Sequence, residues 1–303
     1  MRYSGNNIKL MVNNLMVNYT DQGADDAPVI IFIHGFSLNK TMWDKQLECL
    51  RELYRVIAYD IRGHGESDAG KEEFSISLFA ADLIAFMDVL RVDKATVCGL
   101  SMGGYIALNA IANYPGRFEA LVLADTTCKA ETTKGKEKML STITEINDNG
   151  VSGYVGESVK NMFAPLSFTT KESDINAVRH MILTTTIASL TATLLALATR
   201  KKTGSRLIAI QVPVLILVGV EDKITPPEAA MYMHVQIKKS VLQLIDNAAH
   251  LSNLENPDEF NAQLKSFLAS TYKVYSDIKA REETSFFREI RNKVAVLLSF
   301  KPI

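Results

Sequence analysis

Cysteine is scarce in this sequence, and what there is forms no pattern: Cys49, Cys98 and Cys128 are odd in number and widely separated. With no C-x-x-C pair and no metal-ligand spacing, a disulfide framework and a cysteine-based metal site are excluded, and the three read as reduced packing residues. Charge of neither sign is in surplus. Lys and Arg number 33 against 34 Asp and Glu, a formal net charge of -1, so there is no basic footprint and nucleic acid is not an expected partner. No apolar run reaches the roughly 18–20 residues that span a bilayer, so no integral membrane segment is expected. After Met1 the chain runs into polar sequence around Asn6-Asn7 rather than a leader-like apolar stretch, and a cytoplasmic location is the expectation. Internal repeats and low-complexity tracts are also absent.

What the chain does have is apolar content, 47% of 303 residues against 22% charged, enough for a large core in one main domain with an insertion. Ile8 to Val12 and Leu15 to Tyr19 are β-prone runs joined at Asn13-Asn14, which predicts an N-terminal hairpin. Val29 to Ile33, Arg55 to Tyr59, Ala95 to Cys98, Ala120 to Ala124, Val214 to Val218 and Val241 to Ile245 read as strands, several of them continuous apolar runs buried on both faces. Helical patterns at Trp43 to Leu53, Ser77 to Leu90, Gly104 to Ala112 and Asp258 to Leu268 alternate with them. That alternation predicts an α/β fold, a mostly parallel sheet with helices on both faces. It stops between Thr126 and Arg206, where a Gly-rich loop around Gly150 to Gly156 and one long apolar helix from Asn176 to Arg200 are expected. An insertion of this size after a strand predicts a helical cap.

The strongest chemical signal is Gly99-Leu100-Ser101-Met102-Gly103-Gly104, a G-x-S-x-G turn between an apolar strand and a helix. A turn this sharp brings the two backbones together, and larger side chains at Gly99 and Gly103 would collide. Ser101 is thereby a candidate nucleophile.

His34-Gly35-Phe36, Asp60-Ile61-Arg62-Gly63-His64-Gly65-Glu66-Ser67, the Ser101 turn, Gly219-Val220-Glu221-Asp222 and Ala249-His250 follow one another at strand ends. In that order they resemble an α/β-hydrolase, over about Ile8 to Leu268. Val178 to Leu183 and the turn from Asp222 to Pro227 resemble 3-oxoadipate enol-lactonase-type proteins in particular. The resemblance implies an α/β-hydrolase core over 1–125 and 206–270, a cap over 126–205, and a C-terminal extension over 271–303 that departs from the family.

A serine hydroxyl needs a neighbouring base, and the base needs a partner that fixes its tautomer. His250 is the candidate base: it follows a buried strand and completes the chain order Ser, Asp, His expected for the fold. His34 and His64 read as loop-shaping residues, and His180 and His234 as helix residues. Asp222 is favoured as the acid because its loop resembles the family's acid turn; Asp125 also ends a buried strand and stays open as a rival, with Glu221, Asp60 and Asp246 behind it. The backbone N–H groups of Phe36 and Met102 are the candidate oxyanion donors.

These assignments predict a carboxylic ester hydrolase acting on a small-molecule ester or lactone through an acyl-enzyme on Ser101, with no cofactor and no metal. A C–C bond hydrolase, a cofactor-free perhydrolase or an acyltransferase would use the same three residues, and a non-catalytic ligand receptor is the alternative of another class. Phe36, Met102, Met162 and Met181 are the candidate substrate-binding residues. A dianionic lactone would call for arginines at the pocket, for which only Arg179 and Arg200 to Lys202 are available. In the extension, Phe286, Phe287, Ile290, Val294, Leu297 and Leu298 fall at helical spacing, which reads as a homodimer contact or a membrane-surface helix on one side, and as a helix docked on its own domain or a partly disordered extension on the other.

Overall fold

The computed structural model describes residues 4–272. Among the described residues, 4–263 form one compact unit and 264–272 belong to a second. The predicted C-terminal extension therefore lies outside the described residues, except for helical 271–272.

The first unit is built on an eight-stranded sheet in the order β1-β2-β4-β3-β5-β6-β7-β8. Its strands are β1 Gly5–Val12, β2 Leu15–Gln22, β3 Val29–Ile33, β4 Arg55–Tyr59, β5 Ala95–Leu100, β6 Phe118–Ala124, β7 Val214–Gly219 and β8 Ser240–Ile245. The pairs β1–β2 and β2–β4 are antiparallel, and every pairing from β4 through β8 is parallel. The β1–β2 turn sits at Asn13 and Asn14 with φ of 48° and 60°, the left-handed pair that a two-residue hairpin requires. Strands β4, β5 and β7 are buried at every residue, which is why their sequences carry no alternation. Helices α1 Asp44–Leu50, α2 Ile76–Val89, α3 Met102–Asn113 and α9 Pro227–Gln236 connect the strands, and α10 Ser252–Glu255 follows the last of them.

Five helices lie between β6 and β7: α4 Thr133–Asn149, α5 Val151–Met162, α6 Ser167–Thr170, α7 Glu172–Thr184 and α8 Ile187–Thr199. Two expectations are corrected here. The glycines from 150 to 156 do not form a loop: Gly150 alone takes a positive φ, 76°, and ends α4, while Gly153 and Gly156 lie inside α5. The long helix expected over Asn176 to Arg200 is two helices bent by 97°. Thr185 is extended and the Thr186 hydroxyl accepts from Ser189 N–H, so a new helix starts where apolar periodicity shows no break. No single described helix is long and apolar enough to cross a membrane.

Because β3 through β8 run parallel, their C-terminal ends share one edge, and β3, β5, β7 and β8 deliver Gly35, Ser101, Asp222 and the His250 loop there. The Ser101 turn is closely packed at Gly103, where a Cβ would run into the Ile33 carbonyl, and at Gly99, where it would run into the Gly103 backbone. Gly103→Ala is therefore expected to lower unfolding stability by at least about 1–3 kcal/mol, measured by urea denaturation. Gly116→Ala is the control, since an added methyl there would meet nothing within 4 Å.

Candidate active site

Ser101 stands between β5 and α3 with φ 54° and ψ -114°, a conformation that L-residues rarely adopt. The turn is held from both sides: Ser101 N–H donates to the Ala124 carbonyl at 2.9 Å, and the Ser101 carbonyl accepts from Thr126 Oγ1 at 2.7 Å. These bonds present the hydroxyl at the sheet edge.

His250 Nε2 lies 2.9 Å from Ser101 Oγ, and Nδ1 lies 2.9 Å from Asp222 Oδ2. Asp222 is fixed in turn. Its Oδ1 accepts from Ile224 N–H at 2.8 Å and Thr225 N–H at 3.0 Å, and its Oδ2 accepts from Thr225 Oγ1 at 2.7 Å. Burial by itself disfavours charge on both groups, but their mutual attraction and hydrogen bond outweigh it. Asp222 is held below the usual carboxylate range and His250 above the usual imidazole value. The hydrogen-bonded line Ser101–His250–Asp222 has the geometry of a nucleophile, a base and an orienting acid.

Asp125 is turned elsewhere. Its Oδ1 accepts from Gly219 N–H at 2.9 Å, and its Oδ2 accepts from Ser252 Oγ at 2.5 Å. Burial, reinforced by the charge of Asp222, pushes its carboxyl up to about 8. Asp125 thus bridges the end of β7 to the start of α10, on either side of the two loops that carry Asp222 and His250. Asp60 accepts from Lys40 N–H at 2.8 Å and Glu66 N–H at 3.0 Å and shapes the loop after β4, while Glu221 is exposed.

Three of the other four histidines have structural partners for their rings. His34 Nδ1 donates to the Gly35 carbonyl at 2.7 Å and its Nε2 accepts from Ile61 N–H at 2.9 Å, a pairing that only the neutral ring can make. Burial holds His34 well below its usual value and moves His64 down to about 4. His234 pairs with Ser240 at 2.8 Å, and His180 is exposed.

Phe36 and Met102 flank Ser101 on the β3 and α3 sides. Neither N–H donates to another group among the described residues. The Phe36 ring lies 6.3 Å from that of Tyr154 on α5, and Met102 is packed into the core. Met162 meets the site through its backbone, its carbonyl accepting from His250 N–H at 3.0 Å. Met181 is buried on α7, where its carbonyl accepts from Thr185 Oγ1 at 3.0 Å. Arg179 is exposed and bonds Asn176 at 3.0 Å.

Glu255 was not anticipated from the sequence. It is buried, and its carboxylate accepts from Ala249 N–H at 2.7 Å on one oxygen and from Ala164 N–H at 2.7 Å and Ser167 Oγ at 2.6 Å on the other. It ties the insertion to the residue before His250. The available signal was an acid directly after Leu254 and four residues past Leu251, on the apolar side of a short helix. Among the described residues no group of three or more His, Cys, Asp or Glu could hold a metal ion.

A profile of the alpha/beta hydrolase fold matches residues 28–257. The chain belongs to the α/β-hydrolase fold family. The chain is similar to 3-oxoadipate enol-lactonase 2 of Acinetobacter baylyi, 27% identical over 259 residues, covering 86% of this chain and 95% of the relative. A solved thermophilic esterase from Thermogutta terrifontis superposes with a TM-score of 0.83 at 29% identity, over 87% of this chain and 98% of that one. The enol-lactonase of Burkholderia xenovorans LB400 shares the α/β-hydrolase fold with a TM-score of 0.81 at 23% identity, over 86% of this chain and all 100% of its own.

Two measurements check this α/β-hydrolase site. Because Asp222 raises His250, an NMR titration of the imidazole is expected to show a midpoint above about 6.5, and Asp222→Asn to move it down. Glu255→Ala is expected to cost about 1–3 kcal/mol of stability for each buried donor it leaves unpaired, measured by chemical denaturation.

Proposed function

We propose that the protein is a serine hydrolase that cleaves carboxylic esters or lactones through an acyl-enzyme on Ser101. The observation that carries this reading is the pair of 2.9 Å contacts that His250 makes, one to Ser101 Oγ and one to Asp222. The kinship with an esterase and enol-lactonases supports the ester or lactone as substrate.

In the first half-reaction Ser101 Oγ attacks the substrate carbonyl while His250 Nε2 takes the hydroxyl proton, and Asp222 stabilises the imidazolium. The carbonyl oxygen becomes an oxyanion facing the N–H groups of Phe36 and Met102. Collapse breaks the C–O bond, and His250 returns the proton to the leaving alkoxide. Water then adds to the acyl-enzyme by the same route, His250 taking its proton and returning it to Ser101, and the carboxylic acid departs. With a lactone the freed alcohol stays part of the acyl group, so both half-reactions yield a single hydroxy-acid product. The segment 126–205 acts as a cap over this site, with Phe36, Met102, Met162 and Met181 contributing to its apolar surroundings.

Ser101→Ala is expected to lower turnover of p-nitrophenyl acetate by several orders of magnitude, and a fluorophosphonate to add one adduct per wild-type chain and none to the variant. Undiminished turnover in the variant would remove Ser101 from the reaction, and failure of the probe to modify wild type would favour a receptor. Since His250 must be neutral to accept the proton and is held above its usual value, kcat/KM is expected to fall on the acid side with a midpoint above about 6.5. Asp222→Asn moves that limb to lower pH and reduces the plateau.

A further inference from the structure

Tyr105, Asn109 and Asn113 succeed one another at four-residue spacing along α3, and together they line a cavity of about 380 Å³. Its other walls are the segment after β6, the segment after α8 and the start of α2. Neither Ser101 nor His250 belongs to the lining, so this space is separate from the hydrolytic contacts.

The lining is strongly cationic. Lys129, Arg200, Lys201, Lys202 and Arg206 all contribute, and no carboxylate does. Only Arg200 has its charge answered among the described residues, by Glu131 at 3.1 Å. Arg206 Nη1 donates to the neutral amide oxygen of Asn113 at 3.1 Å, and Lys129 Nζ lies 5.5 Å from the Tyr232 ring. Lys201 and Lys202 are exposed and form no ion pair among the described residues. This surplus sits in a chain whose overall charge is -1.

Arg200 provides an independent observation. Its side chain is only 7% exposed and lies 4.4 Å from the Tyr105 ring, yet its Nε has no hydrogen-bond partner. The guanidinium is held in place by Glu131 and the Leu197 carbonyl, so its charge stands at the cavity wall without having to be ordered by a ligand. Four uncompensated cations around one cavity repel one another, and that repulsion is relieved most by a ligand carrying several negative charges. Lysines bind phosphate as point charges and arginine grips it through its planar fork. Asn109, Thr203 and the hydroxyls of Ser75 and Ser77 supply neutral partners for further ligand oxygens. The volume falls in the range of small-molecule sites.

We propose that this cavity beside α3 is an anion-binding site for a phosphate-bearing small molecule. The Arg200–Tyr105 stack would meet the ligand one turn after Ser101. Because Tyr105 follows Ser101 by one turn of α3 while Ser101 and His250 stay outside the lining, the occupant lies beside the hydrolytic site without entering it.

Isothermal titration of the full chain with pyrophosphate, inorganic phosphate, ADP and citrate tests the proposal. Pyrophosphate is expected to bind saturably, more tightly than citrate, and more weakly as NaCl is raised. ADP binding at least as tightly as pyrophosphate assigns the site to a nucleotide-like ligand; tighter binding of inorganic phosphate or pyrophosphate assigns it to the free anion. The exposed pair Lys201→Glu/Lys202→Glu is expected to weaken binding by at least about tenfold while leaving p-nitrophenyl acetate turnover unchanged. The neutral pair Lys201→Gln/Lys202→Gln is expected to have an intermediate effect. Ser101→Ala is expected to bind pyrophosphate as wild type does, which separates this result from the fate of the proposed hydrolysis. No saturable binding at millimolar pyrophosphate, equal affinity in the charge-reversed variant, or citrate binding as tightly as pyrophosphate would overturn it.

Discussion

A serine held at φ 54° between β5 and α3 requires the first turn of the helix to lie directly against two strands. That contact tolerates nothing larger than hydrogen at Gly99 and Gly103. The energy for the strained turn comes from the sheet around it: β5 is buried at every residue and paired on both sides, and the Ser101 backbone is tied to Ala124 and Thr126 of the neighbouring strand and its loop. Ser101 is placed by packing that has nothing to do with its hydroxyl.

The two other members of the line sit on loops, which packing alone cannot hold to within hydrogen-bonding distance. Buried carboxylates do this work. Asp125 joins Gly219 to Ser252 across the bases of both loops, and Glu255 fastens Ala249. Each carboxylate is satisfied by several donors, which is the condition under which burying one is tolerable. Both are pushed upward by burial, so the surroundings of His250 contain a cluster of interacting acids with Asp222 alone held below its usual range.

The parallel strands were legible because strands buried on both faces have continuous apolar sequences, and Asn13-Asn14 announced its own turn. The insertion was harder to read. Three glycines between 150 and 156 resemble a loop, yet a Cβ at Gly153 would meet nothing closer than 4.0 Å and one at Gly156 nothing within that range, and both sit in a helix that sequence spacing alone does not reveal. The bend at Thr185-Thr186 leaves the apolar periodicity intact, since a hydroxyl cap begins a helix without any glycine or proline. For the site, Ser101 was carried by its turn and Asp222 by its position after the buried β7, in a familiar order; His250 also follows a strand, but β8 is an edge strand with Val241 and Leu244 exposed rather than the buried strand expected. Asp125 could not be separated from Asp222 by position, because both end a strand; the difference is the direction of the carboxylate, fixed by Gly219 and Ser252. Residue type suggests Met162 as an apolar side chain near the site, whereas its bond to His250 is made by the backbone carbonyl, which residue type does not encode.

The bonds from Ala164 and Ser167 to Glu255, and from His250 N–H to the Met162 carbonyl, join the insertion to the very loop that carries the imidazole. Transplanting a different insertion onto this scaffold would therefore also disturb the His250 ring. A workable graft junction must leave the stretch from Met162 to Ser167 with the host. Because two of these three contacts use main-chain atoms of the insertion, the sequence of that stretch can vary widely so long as its backbone path is kept.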